Sequence, residues 1–208
     1  FKKRYKPSEP IGLGAMAVHH IVDEDLVKCL PFTKFKIPKD NRAGDLEYLI
    51  GHNIDYDIAA VQRAGSSTNG IKAICTLAMA RFLWPNLESH NLSALAYQIS
   101  SDRKATRRNL RKAHSALNDC WTTLHLLIAI TIERNIKSFE ELYAFSEQAR
   151  YPTHIFYGKY KGTSIKDLED KNIHWLLGKT DDPYLKISLE NELLARSSID
   201  EQNELPFN

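Results

Sequence analysis

Hydrophobic positions recur along most of this chain at helical spacing, and short stretches of a different pattern divide them. Residues 1–6 read as a short strand ended by Pro7 and Pro10. A loop marked by Gly12 and Gly14 follows, then a short helix before residue 30 that Asp23 or Asp25 can cap. The segment 38–44 is turn-like. Leu46–Gly51 reads as a buried strand running into His52 and Asn53, and Ile58, Ala59 and Val61 then give a helix ending at Gly65. Ile71, Ile74, Leu77, Ala78 and Phe82 fall at helical spacing up to Trp84-Pro85, where proline stops a helix. Ser93–Ile99 predicts another helix. The clearest spans about 117–133, with Leu117, Trp121, Leu124, Ile128 and Ile132 on one face and apolar residues nearly all round, a pattern of burial. Phe139–Ala149 predicts a shorter helix. Over 151–163 aromatics, glycines and lysines alternate, and the polar tail after Ser197 is expected to fray.

Composition changes this picture little. The 208 residues suffice for one domain and a small appendage, and 43% hydrophobic with 26% charged residues is ordinary for a globular chain. A net charge of +2 does not announce a nucleic-acid binder, so local charge must carry any such argument. Cys29, Cys75 and Cys120 lack CxxC spacing and read as reduced, buried thiols of a cytoplasmic protein. No apolar run approaches the ~18 residues that span a bilayer, so no membrane partner is expected.

Four clusters can carry chemistry, and each alone also has a plain reading. Gly51–Asp57 sits where a strand delivers the chain to a helix start, a favoured ligand position in α/β sheets. There Asp57 faces the positive end of the helix dipole, though Asn53 and Asp55 can equally be caps. His114 and Asp119 precede and open the apolar helix. Residues five apart on one helix diverge by about 140°, so sharing a site requires His114 on the loop before it. Arg103, Lys104, Arg107, Arg108, Arg111 and Lys112 form a solvated basic face or a phosphate-holding patch. Phe156–Gly162, with Lys159 and Lys161, suits base stacking or an aromatic hairpin.

In this order the clusters resemble the DEDDh 3′→5′ exonucleases, particularly exodeoxyribonuclease X-like proteins. Pro10 to Leu26, with Ala15–His19, resembles the loop and helix after that family's third strand. Gly51 to Asp57 matches its second acidic motif, and Ile74–Arg81 with Trp84-Pro85 the strand and helix that follow. Asn91–Leu95 resembles the next helix start, His114 to Asp119 the third motif, and Phe156–Gly162 with Trp175-Leu176 a small C-terminal module.

The resemblance implies an α/β, ribonuclease H-like mixed sheet flanked by helices over 1–150, and the module over 151–208. It implies Asp57 and Asp119 as metal ligands, His114 as the general base, and two Mg²⁺ or Mn²⁺ ions. His19, His52, Asn53, Arg107, Arg108, Arg111, Lys159 and Lys161 become expected substrate contacts. The expected partner is a DNA 3′ end, with RNA, or a catalytically inactive nucleic-acid-binding remnant, as alternatives. One motif departs from the pattern: no Asp-x-Glu followed by Thr-Gly precedes residue 10, and Asp23-Glu24-Asp25 comes too late to replace it. Retention of Asp57, His114 and Asp119 favours a chain truncated before its first strands over a degenerate relative.

Overall fold

The structure, a computed structural model, describes residues 3–38, 46–111 and 116–203. The chain is mixed α/β and divides into two units, the first formed by 1–77 with 91–143 and the second by 78–90 with 144–208.

The first unit opens with α1 (Leu13–His19) and a 3₁₀ turn, Asp23–Leu26. α1 starts earlier than the glycines suggest and includes Gly14. The strand expected over 1–6 is only a single bridge from Lys6 to Pro31 among the described residues. Asp23 accepts the Ile11 N–H at 3.2 Å and Asp25 the Val22 N–H at 3.2 Å, so both tie down loop backbone. The turn expected over 38–44 lies almost wholly outside the described residues.

β1 (Tyr48–Gly51) and β2 (Lys72–Cys75) pair in parallel, joined by α2 (Ile54–Arg63). Residues 72–75, whose apolar spacing reads as helix, are thus strand. Parallel strands covered on both faces lose the alternation that separates strand from helix in sequence. α3 (Thr76–Leu83) follows without a break and stops at Trp84-Pro85 as expected. Gly65, at φ +78°, ends α2 in a conformation that side chains disfavour.

α4 (Leu92–Gln98), α5 (Arg103–Arg111) and α6 (Ala116–Glu133) complete the unit, with α4 packed on both others. α6 departs most from expectation. It buries Thr123, Leu126, Leu127 and Ile130, whereas Leu117, Trp121, Leu124, Ile128 and Ile132 are exposed, Ile132 by 74%. A helix apolar nearly all round has two faces able to pack, and this structure uses the one opposite the obvious stripe. Cys120, on the exposed side, is accessible; Cys75 is buried and Cys29 half-buried.

α7 (Phe139–Ala149) brackets the unit boundary, and its first residues fasten β1. Tyr48 stacks on Phe139 with centroids 5.2 Å apart and donates to Glu140 at 3.0 Å. In the second unit, 151–163 folds back in a hairpin-like loop with one antiparallel bridge, His154 to Ser164. α8 (Asp170–Leu177) and α9 (Pro183–Asn203) follow, and α9 continues beyond Ser197, where fraying was expected. The core of this unit joins Ile155, Ile165, Leu168, Ile173, Leu176, Leu185 and Leu189. Arg196 ties α9 to it, donating to Asp170 at 2.6 Å and to the Leu168 carbonyl at 2.8 Å. Among the described residues no helix is long and apolar enough to cross a membrane.

Candidate active site

The carboxyl end of β1 is built to turn sharply. A Cβ on Gly51 would sit 2.7 Å from Cδ1 of the buried Ile54, so a larger residue there would have to displace the end of that side chain. Asn53 takes a left-handed conformation, φ +67°, which asparagine tolerates better than most residues. The chain then enters α2 with Asp55 and Asp57 in its first turn, where the helix dipole favours negative charge.

Thr76, fully buried at the end of β2, holds the two strand ends together. Its hydroxyl donates to the Gly51 carbonyl at 3.2 Å and lies 3.1 Å from His52 Nδ1. With its proton on that carbonyl, the hydroxyl accepts from Nδ1–H, which assigns the His52 tautomer. Opposite, the Asn91 side chain caps α4 by accepting the Ala94 N–H at 2.7 Å, and α4 supports α6.

A cleft of about 850 Å³ opens between these elements. Asp57 from α2 and Asp119 from the first turn of α6 both line it, with His52, Asn91 and Ser93. Its remaining wall is largely apolar, from Leu49, Ile50, Leu124 and Leu127. Asp57 reaches solvent, yet the cleft covers part of it. That burial pushes its carboxyl above the ordinary aspartate value, against an opposing backbone hydrogen bond.

This shift has a testable sign. The native chain holds the Asp57 proton more tightly than the unfolded chain. Stability is therefore lost as pH rises from the unfolded value, about 3.9, through the raised native one. In thermal melts without divalent ions, Asp57→Asn is expected to gain stability relative to the parent across that window and to hold the gain at neutral pH. Parallel pH profiles for the two proteins would contradict the account of a partly covered carboxylate.

The expected site residues separate into groups. Asp57, Asp119 and His52 share the cleft, and Asn53 sits at the turn beside it. His19 lines a different depression of the same unit, where its Nδ1 accepts the Ile21 N–H at 3.0 Å. Arg107, Arg108 and Arg111 are exposed on α5 and do not line the cleft. Lys159 and Lys161 belong to the second unit, and His114 lies outside the described residues. Thr76, Asn91 and Ser93 were not expected as part of the cleft and its frame. Asn91 was detectable as a cap before an apolar run; Thr76 carried no comparable signal.

No family model matches the chain. It is 28% identical over 193 residues to exodeoxyribonuclease 10 of Escherichia coli (strain K12), a match covering 90% of this chain and 82% of that protein. It is 24% identical over 144 residues to the PolC-type DNA polymerase III of Bacillus cereus, covering 67% of this chain and 10% of the polymerase. Among solved structures, exonuclease X in complex with 5′ overhanging duplex DNA aligns with a TM-score of 0.49 and 24% identity, over 68% of this chain and 78% of that one. The ordered motifs and the sequence matches make the chain similar to DEDDh exonucleases.

Proposed function

We propose that this protein is a metal-dependent 3′→5′ exonuclease that hydrolyses DNA phosphodiester bonds and releases mononucleotides. One observation carries the reading: Asp57 and Asp119, 62 positions apart by their numbering, line the same cleft at the carboxyl end of β1. The matches to exodeoxyribonuclease 10 and to a polymerase III chain support it.

The donors suit Mg²⁺ or Mn²⁺ in kind, because carboxylate oxygens are the ligands such hard ions prefer. They are short in number: among the described residues, no three His, Cys, Asp or Glu side chains gather to hold an ion. Asp57 and Asp119 are therefore half of the proposed ligand set. The family's first motif, Asp-x-Glu followed by Thr-Gly, does not occur in these 208 residues and would supply the rest. Bound ions would stabilise charge on the attacking and leaving oxygens.

The chain's own residues do the remaining work. His114, placed by its motif just before α6, takes the proton from the attacking water, as an imidazole titrating near neutrality can. His52, oriented by Thr76, and Asn53 meet the nucleotide at the cleft, with His19 as a further substrate contact. Arg107, Arg108 and Arg111 hold backbone phosphates along α5, and Lys159 and Lys161 do so from the module over 151–208. Residues 1–150 form the ribonuclease H-like nuclease domain in this reading.

The decisive assay uses protein supplied with an Asp-x-Glu-Thr-Gly motif, 3′-ended DNA and RNA oligonucleotides, and Mg²⁺. Mononucleotides are expected from DNA, and His114→Ala is expected to slow their release by roughly 10²-fold. Unchanged turnover in that variant would remove His114 from the mechanism. No release by the parent would overturn the exonuclease reading, and faster release from RNA would reassign the substrate.

A further inference from the structure

The second unit contains a small pocket that the nuclease reading does not use. It is about 50 Å³ in volume. A single water needs roughly 10–15 Å³ on this measure, so the pocket has room for a group the size of a few waters. Arg81 from α3 and Arg150, just after α7, line it with Thr153, His154, Tyr157 and Asp182.

Both arginines are held by neighbours. The Arg81 guanidinium lies 5.0 Å from the Phe156 ring centre, and that of Arg150 lies 5.3 Å from Tyr184. Arg150 is 8% exposed, and its Nε donates to Glu147 Oε1 at 2.8 Å. The carboxylate at the rim is engaged as well: Asp182 Oδ1 accepts the N–H groups of Tyr184 and Leu185 at 3.0 and 3.2 Å, starting α9. Pre-placed guanidinium forks with a hydroxyl beside them match the geometry of phosphate oxygens.

Positive charge continues outside the pocket. Lys161 Nζ donates to the Glu88 carbonyl at 2.6 Å. His90, edge-on to Phe156, is held below the usual imidazole range by burial, with the charges of Arg81 and Lys161 adding to it. Tyr151 and Tyr157 stand exposed nearby in the chain, 44% and 47%, as rings on which bases can stack.

We infer that the Arg81–Arg150 pocket binds a phosphate group of a nucleotide or nucleic-acid strand, independently of the Asp57–Asp119 cleft. The source is either a terminal or free monophosphate or a backbone diester, and both present the same oxygens to the guanidinium forks.

The test uses the whole chain in chelator, so that the carboxylate cleft plays no part and failure here leaves the nuclease assay untouched. Hydrogen exchange is followed with inorganic phosphate, thymidine 5′-monophosphate, or an oligonucleotide without terminal phosphates, each against chloride at matched ionic strength. Protection of the 150–157 backbone is expected. Protection by the monophosphates alone assigns the pocket to phosphate ends or free nucleotides, and protection by the oligonucleotide assigns it to the backbone. Arg81→Gln is expected to weaken binding roughly tenfold or more, as loss of a charge-assisted contact does. Arg81→Lys, which keeps the charge and much of the packing but loses the planar fork, is expected to weaken it too. No protection by any of the three ligands, or full-strength binding in a folded Arg81→Lys protein, overturns the assignment.

Discussion

Asp119→Asn should abolish most of the cleavage while leaving the fold standing. Asparagine keeps the shape of the side chain but removes the charge that would hold a divalent ion beside Asp57 in the cleft. An ion's stabilisation of transition-state charge is worth several kcal/mol, so turnover of protein supplied with the Asp-x-Glu-Thr-Gly motif should drop by about 10²–10³-fold or more. The structural penalty is small. Asp119 is exposed in the first turn of α6, where a charge complementing the helix dipole contributes about 0.3–1 kcal/mol. Thermal melts together with turnover on 3′-ended DNA separate the two effects. Near-parental turnover would remove Asp119 from the site, and collapse of the melt would recast it as a structural residue.

The second large effect concerns stability. Leu126 is fully buried on the packed face of α6, and Leu126→Ala leaves a cavity that neighbouring side chains fill only in part. A loss of about 2–5 kcal/mol follows, a large share of the 5–15 kcal/mol by which folded domains are typically stable. Ile132→Lys on the opposite stripe provides the contrast. Ile132 is 74% exposed, so its replacement should change stability by less than about 0.5 kcal/mol. Denaturant melts of the two variants establish which face of α6 is inside. A large loss at Ile132 with little at Leu126 would invert the packing described above.

That contrast shows where sequence reading stops on this chain. α2, α4, α6 and α7 follow from apolar spacing with caps and stops nearby, such as Asn91 before α4 and Gly65 after α2. Spacing alone does not decide which side of α6 packs, because Leu126 and Ile130 are as apolar as Leu124 and Ile128. β2 was hidden for a related reason: Ile71, Ile74, Leu77 and Phe82 satisfy a helical period although the first four residues of the element that follows Ile71 pair with β1. The strand expected at 1–6 needed a partner, and the described residues give Lys6 only one bridge. At the site, Asp57, His52 and Asp119 were singled out by the order of their motifs, and all three line one cleft. Thr76 was not legible, since its work is to hold the Gly51 carbonyl and the His52 ring from 24 residues further along the chain than His52.

The two-stranded sheet has one more consequence. Lys72 donates to the Glu47 carbonyl at 2.8 Å, so in the parallel ladder residues 47, 49 and 51 address β2, while the amides of Tyr48 and Ile50 point the other way. Among the described residues β1 pairs with no other strand. Those two amide protons are therefore clocks for the far side of the sheet. They are expected to exchange faster than the amides of residues 49 and 51, and to slow if another backbone is laid against β1, a signal that does not depend on any bond in DNA being cut.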